Sequence, residues 1–184
     1  MRAWTRLRKV YVFGAPVWVH WSALFVVGLL FFLSLTSPIY AAVSIASYLS
    51  IIAVHEAGHA YIARRLGYRV TGIHIGIIHG LCEHERPEYE LEDVLISWGG
   101  VAAQLCIAVP VLVIAWALGS RELYYFGPVV AFLGYVNLLV ALANLAPAEG
   151  FDGKRAWRAV PLLFRWWRAK RTAKKTLRLM SKRK

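Results

Sequence analysis

His55-Glu56-Ala57-Gly58-His59 lies near the end of an apolar run from Ile39 to Ala63. A helix of that length can cross a hydrocarbon core, which needs about 20 apolar residues. The run therefore reads as a membrane-spanning helix that carries two histidines and a carboxylate. Side chains four positions apart share a helix face, so both imidazoles can turn toward one metal ion while Glu56 reaches a water beside it. An ionised carboxylate near the bilayer centre costs roughly 3 kcal/mol even on the lenient insertion scale. Each of Ile45, Leu49, Ile51, Ile52 and Val54 returns only about 0.3 to 0.6 kcal/mol, enough to hold the segment in the bilayer without explaining its polar residues. A hydrogen-bonded cluster between helices is the structural alternative to a metal centre.

The rest of the chain agrees with a membrane setting. Of its 184 residues 59% are hydrophobic, and the mean hydropathy is positive, above what soluble domains carry. Three more stretches are long enough to span: Val17 to Thr36, Val94 to Leu118 and Leu123 to Pro147. The first lacks the short apolar core and cleavage pattern of a removed signal peptide, so it is expected to be a retained helix. The expected fold is an all-α polytopic membrane protein of about four transmembrane helices, with a short β-hairpin-like segment between the second and third. That segment contains Ile73, Ile75 and Ile77 in alternation, punctuated by Gly72, Gly76 and Gly80. Glu83 to Asp93, acidic and interrupted by Pro87, is expected to be a solvated loop. Cys82 and Cys106 show no paired spacing, which excludes a disulfide framework or a cysteine-rich zinc module.

The formal net charge of +12 sits in clusters that flank apolar runs. Arg2, Arg6, Arg8 and Lys9 precede the first span, Arg64, Arg65 and Arg69 follow the second, and a basic tail follows the fourth. With four spans all three clusters fall on one side, and the positive-inside rule makes that side the cytoplasm, with both termini inside. Residues 154–184 hold no acidic residue and interleave lysines and arginines with Trp157, Leu162, Phe164, Trp166, Trp167 and Leu177. They are expected to form an amphipathic interfacial tail on anionic lipids, distinct from a membrane core of residues 1–153. Nucleic acid is not an expected partner.

Two histidines leave a catalytic zinc short of its usual three protein ligands plus water. The sequence offers two sources for the third. One is the acidic loop, with Glu83, Glu85, Glu88, Glu90, Glu92 and Asp93, together with His74, His79 and His84. The other is Asp152, which closes Asn144-Leu145-Ala146-Pro147-Ala148-Glu149-Gly150-Phe151-Asp152-Gly153.

These two motifs give the chain a specific likeness: it resembles the site-2 protease family of intramembrane metalloproteases. That family pairs HExxH on one span with a later Asn-x-x-Pro-x-x-x-x-Asp-Gly, and Asn144, Pro147, Asp152 and Gly153 match every fixed position of the second motif. The resemblance implies His55, His59 and Asp152 as zinc ligands, Glu56 as general base, and Asn144 near the site as a substrate or transition-state contact. It implies hydrolysis of transmembrane protein substrates, and a bacterial plasma membrane as the location. Pro147, Gly150 and Gly153 permit the turn that would bring Asp152 back toward the histidines.

Departures and rival readings accompany it. Family members often carry a Gly-Pro-x-x-Asn-like element early in the next span, whereas this chain reads Gly99-Gly100-Val101-Ala102-Ala103-Gln104, a run that also serves close helix packing. The strand around Ile73 to Ile77 is expected to bind an unwound substrate by edge pairing. His20 beside Trp21 fits an interfacial histidine, and Cys82-Glu83-His84 is a weak metal pair. The rival functions are an inactive membrane scaffold that retains a metal site and an ion pathway. No internal repeat supports the ion pathway, and a scaffold has no use for Glu56.

Overall fold

The structure is a computed structural model that describes residues 4–33, 35, 37–76, 80–119 and 123–181. Two strands open the chain, β1 (Trp4–Val12) and β2 (Ala15–His20). Phe13 and Gly14 both take positive φ, +50° and +80°, between the paired residues Val12 and Ala15. That is the two-residue turn whose twist suits an antiparallel hairpin. Lys9, also at positive φ, lies where the β1–β2 register shifts.

Helix α1 (Trp21–Leu33) follows, then α2 (Pro38–Arg65), β3 (Val70–Ile75), β4 (Gly80–His84) and α3 (Glu90–Leu118). The last span is built in pieces: α4 (Leu123–Val129), a π-helical stretch Val130–Val136 and α5 (Asn137–Asn144). The short α6 (Gly153–Ala156) and long α7 (Ala159–Ser181) complete the chain.

Local chemistry sets the ends of the two central helices. Pro38 occupies the first turn of α2, where its missing N–H is no loss. At the other end Gly67, at φ +95°, lets the chain reverse, with Tyr68 N–H donating to Ala63 O at 2.9 Å. Helix α3 places Glu90, Glu92 and Asp93 in its first turn, where carboxylates favour the positive end of the helix dipole. Tyr89 N–H donates to Glu92 Oε2 at 3.3 Å, which satisfies one of the free amides there.

Among the described residues, three helical segments are long and apolar enough to cross a membrane: Pro38–Arg65, Glu90–Leu118 and Phe126–Asn144. The first expected span differs from expectation. Its opening residues form β2, and α1 has only 13 residues, short of the length that spans alone. The reason is that Val17-Trp18-Val19 continues without a break into an apolar helix, and an apolar run does not reveal by itself where strand becomes helix. The hairpin-like segment between the second and third spans is present as β3 and β4, but within a four-stranded sheet ordered β1-β2-β3-β4. Gly76 lies beyond β3, Ile77 and His79 fall outside the described residues, and the acidic loop is shorter than expected because β4 extends to His84 and α3 begins at Glu90.

The parallel pairing of β2 with β3, Val17 opposite Ile73 and Val19 opposite Ile75, has a topological consequence. It puts the N-terminal hairpin at the end of α2 that carries Arg64 and Arg65. Helix α7 starts at the same end, where Arg158 Nη1 lies 3.4 Å from Asp93 Oδ2 and Arg165 Nη2 lies 3.9 Å from Glu90 Oε2. The described parts of all three basic clusters therefore share one side. The sheet packs there through a core of Ala15, Val17, Ala60, Ala63, Ile73 and Ile96, which joins β2 and β3 to the last turns of α2 and the first of α3.

Candidate metal centre

Helix α2 turns His55, Glu56 and His59 inward, and all three are buried. Close approach of α3 makes this possible. Gly58 and Gly99 touch backbone to backbone, and a Cβ on either would collide with the carbonyl of the other. Small residues at such a crossing are the usual device for close helix packing in membranes.

Asp152 arrives from the far end of the chain. After α5 the backbone turns through Gly150, at φ +87°, and Asp152 precedes α6. Gly153 packs against the carbonyls of Leu145 and Ala146, where no side chain fits. Trp157 Nε1 donates to Leu145 O at 2.6 Å, and Trp98 Nε1 on α3 donates to Ala156 O at 3.1 Å. The two indoles clasp the loop that carries Asp152 to the end of the last span and to α3.

Three ligand-type atoms converge as a result. His55 Nε2 and His59 Nε2 are 3.0 Å apart, and Asp152 Oδ2 lies 2.9 Å from the first and 3.1 Å from the second. Atoms that share a tetrahedral zinc at about 2.0 to 2.1 Å stand just over 3 Å from one another, so the triangle is close to the size that ion requires. The far sides of both rings are fixed. His59 Nδ1–H donates to Ile96 O at 2.7 Å, and His55 Nδ1–H donates to Gln104 Oε1 at 2.9 Å. With the protons on Nδ1, both Nε2 lone pairs point into the triangle, which is the arrangement of metal-binding histidines. Burial alone would raise the Asp152 carboxyl, but with no cation in the triangle the neighbouring His55 and His59, when protonated at Nε2, donate to it and their charge outweighs burial, holding it well below the usual carboxylate range. It is ionised at neutral pH and ready to face a cation.

Among the described residues this is the only group of three or more His, Cys, Asp or Glu side chains with ligand atoms so placed. The loop carboxylates are engaged elsewhere: Glu85 Oε2 accepts from Arg69 N at 3.0 Å and Glu83 Oε1 lies 3.4 Å from His74 Nε2. His84 Nδ1 donates to Glu85 O at 2.7 Å, and burial, followed by the charge of Glu56, pushes the Cys82 thiol up to about 12. Neither belongs to the triangle. His20 is taken up by Ser22, whose Oγ lies 2.6 Å from Nδ1.

A cavity of about 440 Å³ opens onto the triangle, with Glu56, Asn144, Gly80 and Cys82 in its walls. Glu56 stands against β4, and a Cβ at Gly80 would come within 2.7 Å of its Oε1. Asn144 Nδ2 lies 3.4 Å from both ring nitrogens of His55. Two residues gain weight that the sequence reading did not give them: Gln104, as the partner of His55, and Gly80, as the floor beneath Glu56. For Gln104 a signal was visible, a lone amide in an otherwise apolar span.

Comparison with known proteins agrees with this geometry. Residues 43–106, which include both histidines and Gln104, match peptidase family M50. A zinc metalloprotease of Methanocaldococcus jannaschii is 26% identical over 156 residues, 84% of this chain and 45% of that protein. Over these residues the chain is similar to zinc metalloproteases. A Mycobacterium tuberculosis protein described as a zinc metalloprotease, Rip3, is 31% identical over 116 residues, 60% of this chain and 29% of that one. The solved structure of a site-2 protease from Methanocaldococcus jannaschii superposes with a TM-score of 0.65 at 24% identity, covering 85% of this chain and 71% of that one. It shares the fold described above. The chain spans less than half the length of the curated relatives it matches.

Proposed function

We propose that this protein is a zinc metalloprotease that hydrolyses peptide bonds in or near transmembrane segments, with His55, His59 and Asp152 as metal ligands and Glu56 as general base. The observation that carries the reading is the triangle of His55 Nε2, His59 Nε2 and Asp152 Oδ2, with both imidazole protons engaged on the opposite side. A structural cluster has no need of a buried carboxylate beside such a triangle, and Glu56 is 3% exposed with no ligand role to fill.

Zinc, when bound, supplies a Lewis acid that polarises a carbonyl and lowers the pKa of water to about 7. Glu56 then acts through its carboxylate, taking a proton from the attacking water and passing it to the leaving amine. Asn144, next to His55, is placed to donate its amide N–H to the carbonyl under attack. The substrate needs an unwound backbone, since a helical carbonyl is already engaged.

The strand that receives that backbone is β4, not the β3 expected from the alternation of Ile73 and Ile75. Strand β3 is paired on both sides, by β2 and β4, whereas β4 is an edge and contributes Gly80, Leu81 and Cys82 to the cavity wall. An edge strand offers the free amides and carbonyls that an extended peptide can join. The shared side of the basic clusters supports a cytoplasmic orientation of the sheet and both ends of the chain. Helix α7 supports an interfacial tail, with Trp166 and Trp167 exposed and Lys170 Nζ and Arg171 Cζ over their rings at 4.8 and 3.3 Å.

Cleavage of a model transmembrane substrate by the purified chain, tested beside Glu56→Gln, decides the matter. The native chain is expected to bind one zinc and cut, and Glu56→Gln to bind zinc and not cut. A native chain that holds zinc and leaves every such substrate intact would make the site a scaffold.

A further inference from the structure

We propose that Gln104 is a positioning residue that fixes the His55 ring for metal binding, and that Asn137, on a third helix, holds Gln104 in place. The inference rests on the metal-site reading above and extends it outward by two residues. Gln104 is fully buried and sits mid-span on α3, with its Oε1 accepting from His55 Nδ1–H at 2.9 Å. Its backbone carbonyl accepts a second bond, from Asn137 Nδ2 at 3.1 Å, and Asn137 is 1% exposed.

Packing alone does not account for this pair. Gln104 Nε2 and Asn137 Oδ1 are both buried without a hydrogen-bond partner. Leaving such a group unsatisfied is destabilising, a cost that a methionine or leucine at either place would avoid. What the amides provide lies at their other ends. Oε1 of Gln104 holds the proton of His55 on Nδ1, so Nε2 keeps its lone pair toward His59 and Asp152. A buried carbonyl already committed to helix α3 gains from Asn137 a tie to the last span.

The backbone of the last span explains how Asn137 comes to face inward. The π-helical stretch Val130–Val136 ends at Asn137, and the α-helix that follows buries Asn137, Ala141 and Asn144 along one face. A π segment accommodates one more residue per turn than an α-helix, so it rotates everything after it. That rotation puts Asn137 against α3 and Asn144 against His55 together. A three-helix chain results, from His55 on α2 through Gln104 on α3 to Asn137 on the last span.

The test is zinc affinity of the full chain by competition with a chelator, together with the absorption spectrum of the cobalt-substituted protein. Gln104→Met keeps length and volume but lacks the acceptor, and should bind zinc about 10- to 100-fold more weakly. Gln104→Glu keeps an acceptor at the same reach and should restore affinity to within about threefold, with a native cobalt spectrum. Asn137→Ala leaves ligands and the Gln104 side chain intact, and should weaken zinc several-fold alone but add nothing to Gln104→Met, as coupled residues do. It also carries the test where Gln104→Met is not recovered folded. Native-like affinity in Gln104→Met, equal losses in Gln104→Met and Gln104→Glu, or native-like affinity in Asn137→Ala would each overturn the inference, as would additive effects in the double variant. A native chain that binds no zinc would overturn the metal-site reading beneath it instead.

Discussion

Gly100 on α3 faces His59 so closely that a Cβ there would lie 2.5 Å from His59 Nε2 and 2.7 Å from His55 Cε1. The absence of a side chain at 100 is therefore a condition for the histidine pair. On helix propensity alone Gly100→Ala would stabilise the chain by about 1 kcal/mol. Overpacking a filled site costs about 1–3 kcal/mol and is relieved here by moving a ligand ring. The metal-free variant is thus expected to melt near the native temperature while its zinc affinity falls tenfold or more. Thermal unfolding with and without zinc, beside chelator competition, checks both halves.

Cys82 supplies a test of the cavity wall that does not depend on metal. With the thiol at about 12, thiolate is scarce at pH 8, and thiolate is the reactive form. In a Cys106→Ser chain, maleimide labelling of folded protein at pH 8 should run about a hundredfold or more below that of the same chain in denaturant. A raised thiol pKa contributes stability that is present below the unfolded value and lost as pH rises through the folded one. The loss is therefore confined to alkaline conditions, from the ordinary thiol range up to about 12. Fast labelling at pH 8 would mean that Cys82 is not buried in the cavity wall.

Trp157 ties the Asp152 loop to the end of α5 through its bond to Leu145 O. Trp157→Phe keeps an aromatic ring beside Trp98 and deletes the donor, worth about 1 kcal/mol, together with part of the indole's packing. Zinc affinity should drop severalfold, with little change in the helical content read by circular dichroism. Native affinity in Trp157→Phe would show that Gly153 and the Trp98 bond position Asp152 unaided.

The parts of this arrangement differ in how far the sequence reveals them. His55, Glu56 and His59 are legible because their geometry is local: a helix places residues four apart together whatever else the chain does. Asn144 and Asp152 stand far from the histidines in sequence, and only resemblance to a family joins them. Strand β1 reads as a basic cluster ahead of the first span because Arg6, Arg8 and Lys9 mask its alternation, and β2 hides in the start of an apolar run. Gln104 is visible as a polar residue in a span, yet its partner depends on the close approach of α2 and α3 at Gly58 and Gly99. The π-helical stretch has no such sign, since Val130-Ala131-Phe132-Leu133-Gly134 suits an α-helix equally well. Its effect is known only from the face it turns inward.

The source of the third ligand separates Asp152 from the loop carboxylates. Asp152 Oδ2 is within 3.1 Å of both histidine Nε2 atoms, while Glu83 and Glu85 turn to His74 and to Arg69 N. Asp152→Ala removes the proposed third ligand and a negative charge from a partly buried site, leaving two imidazoles that cannot complete a catalytic zinc centre. Zinc content should fall well below one per chain, and cleavage should stop. Asp152→Asn separates charge from shape, since it keeps an oxygen at the same reach, and should retain more zinc than Asp152→Ala but less than the native chain. Glu83→Ala, Glu85→Ala and Glu88→Ala should each keep native zinc, because exposed carboxylates away from the triangle contribute little to a buried cation through water. Zinc content by elemental analysis of all five variants after gel filtration decides it. Full zinc and activity in Asp152→Ala would mean that a carboxylate or histidine of the loop completes the site.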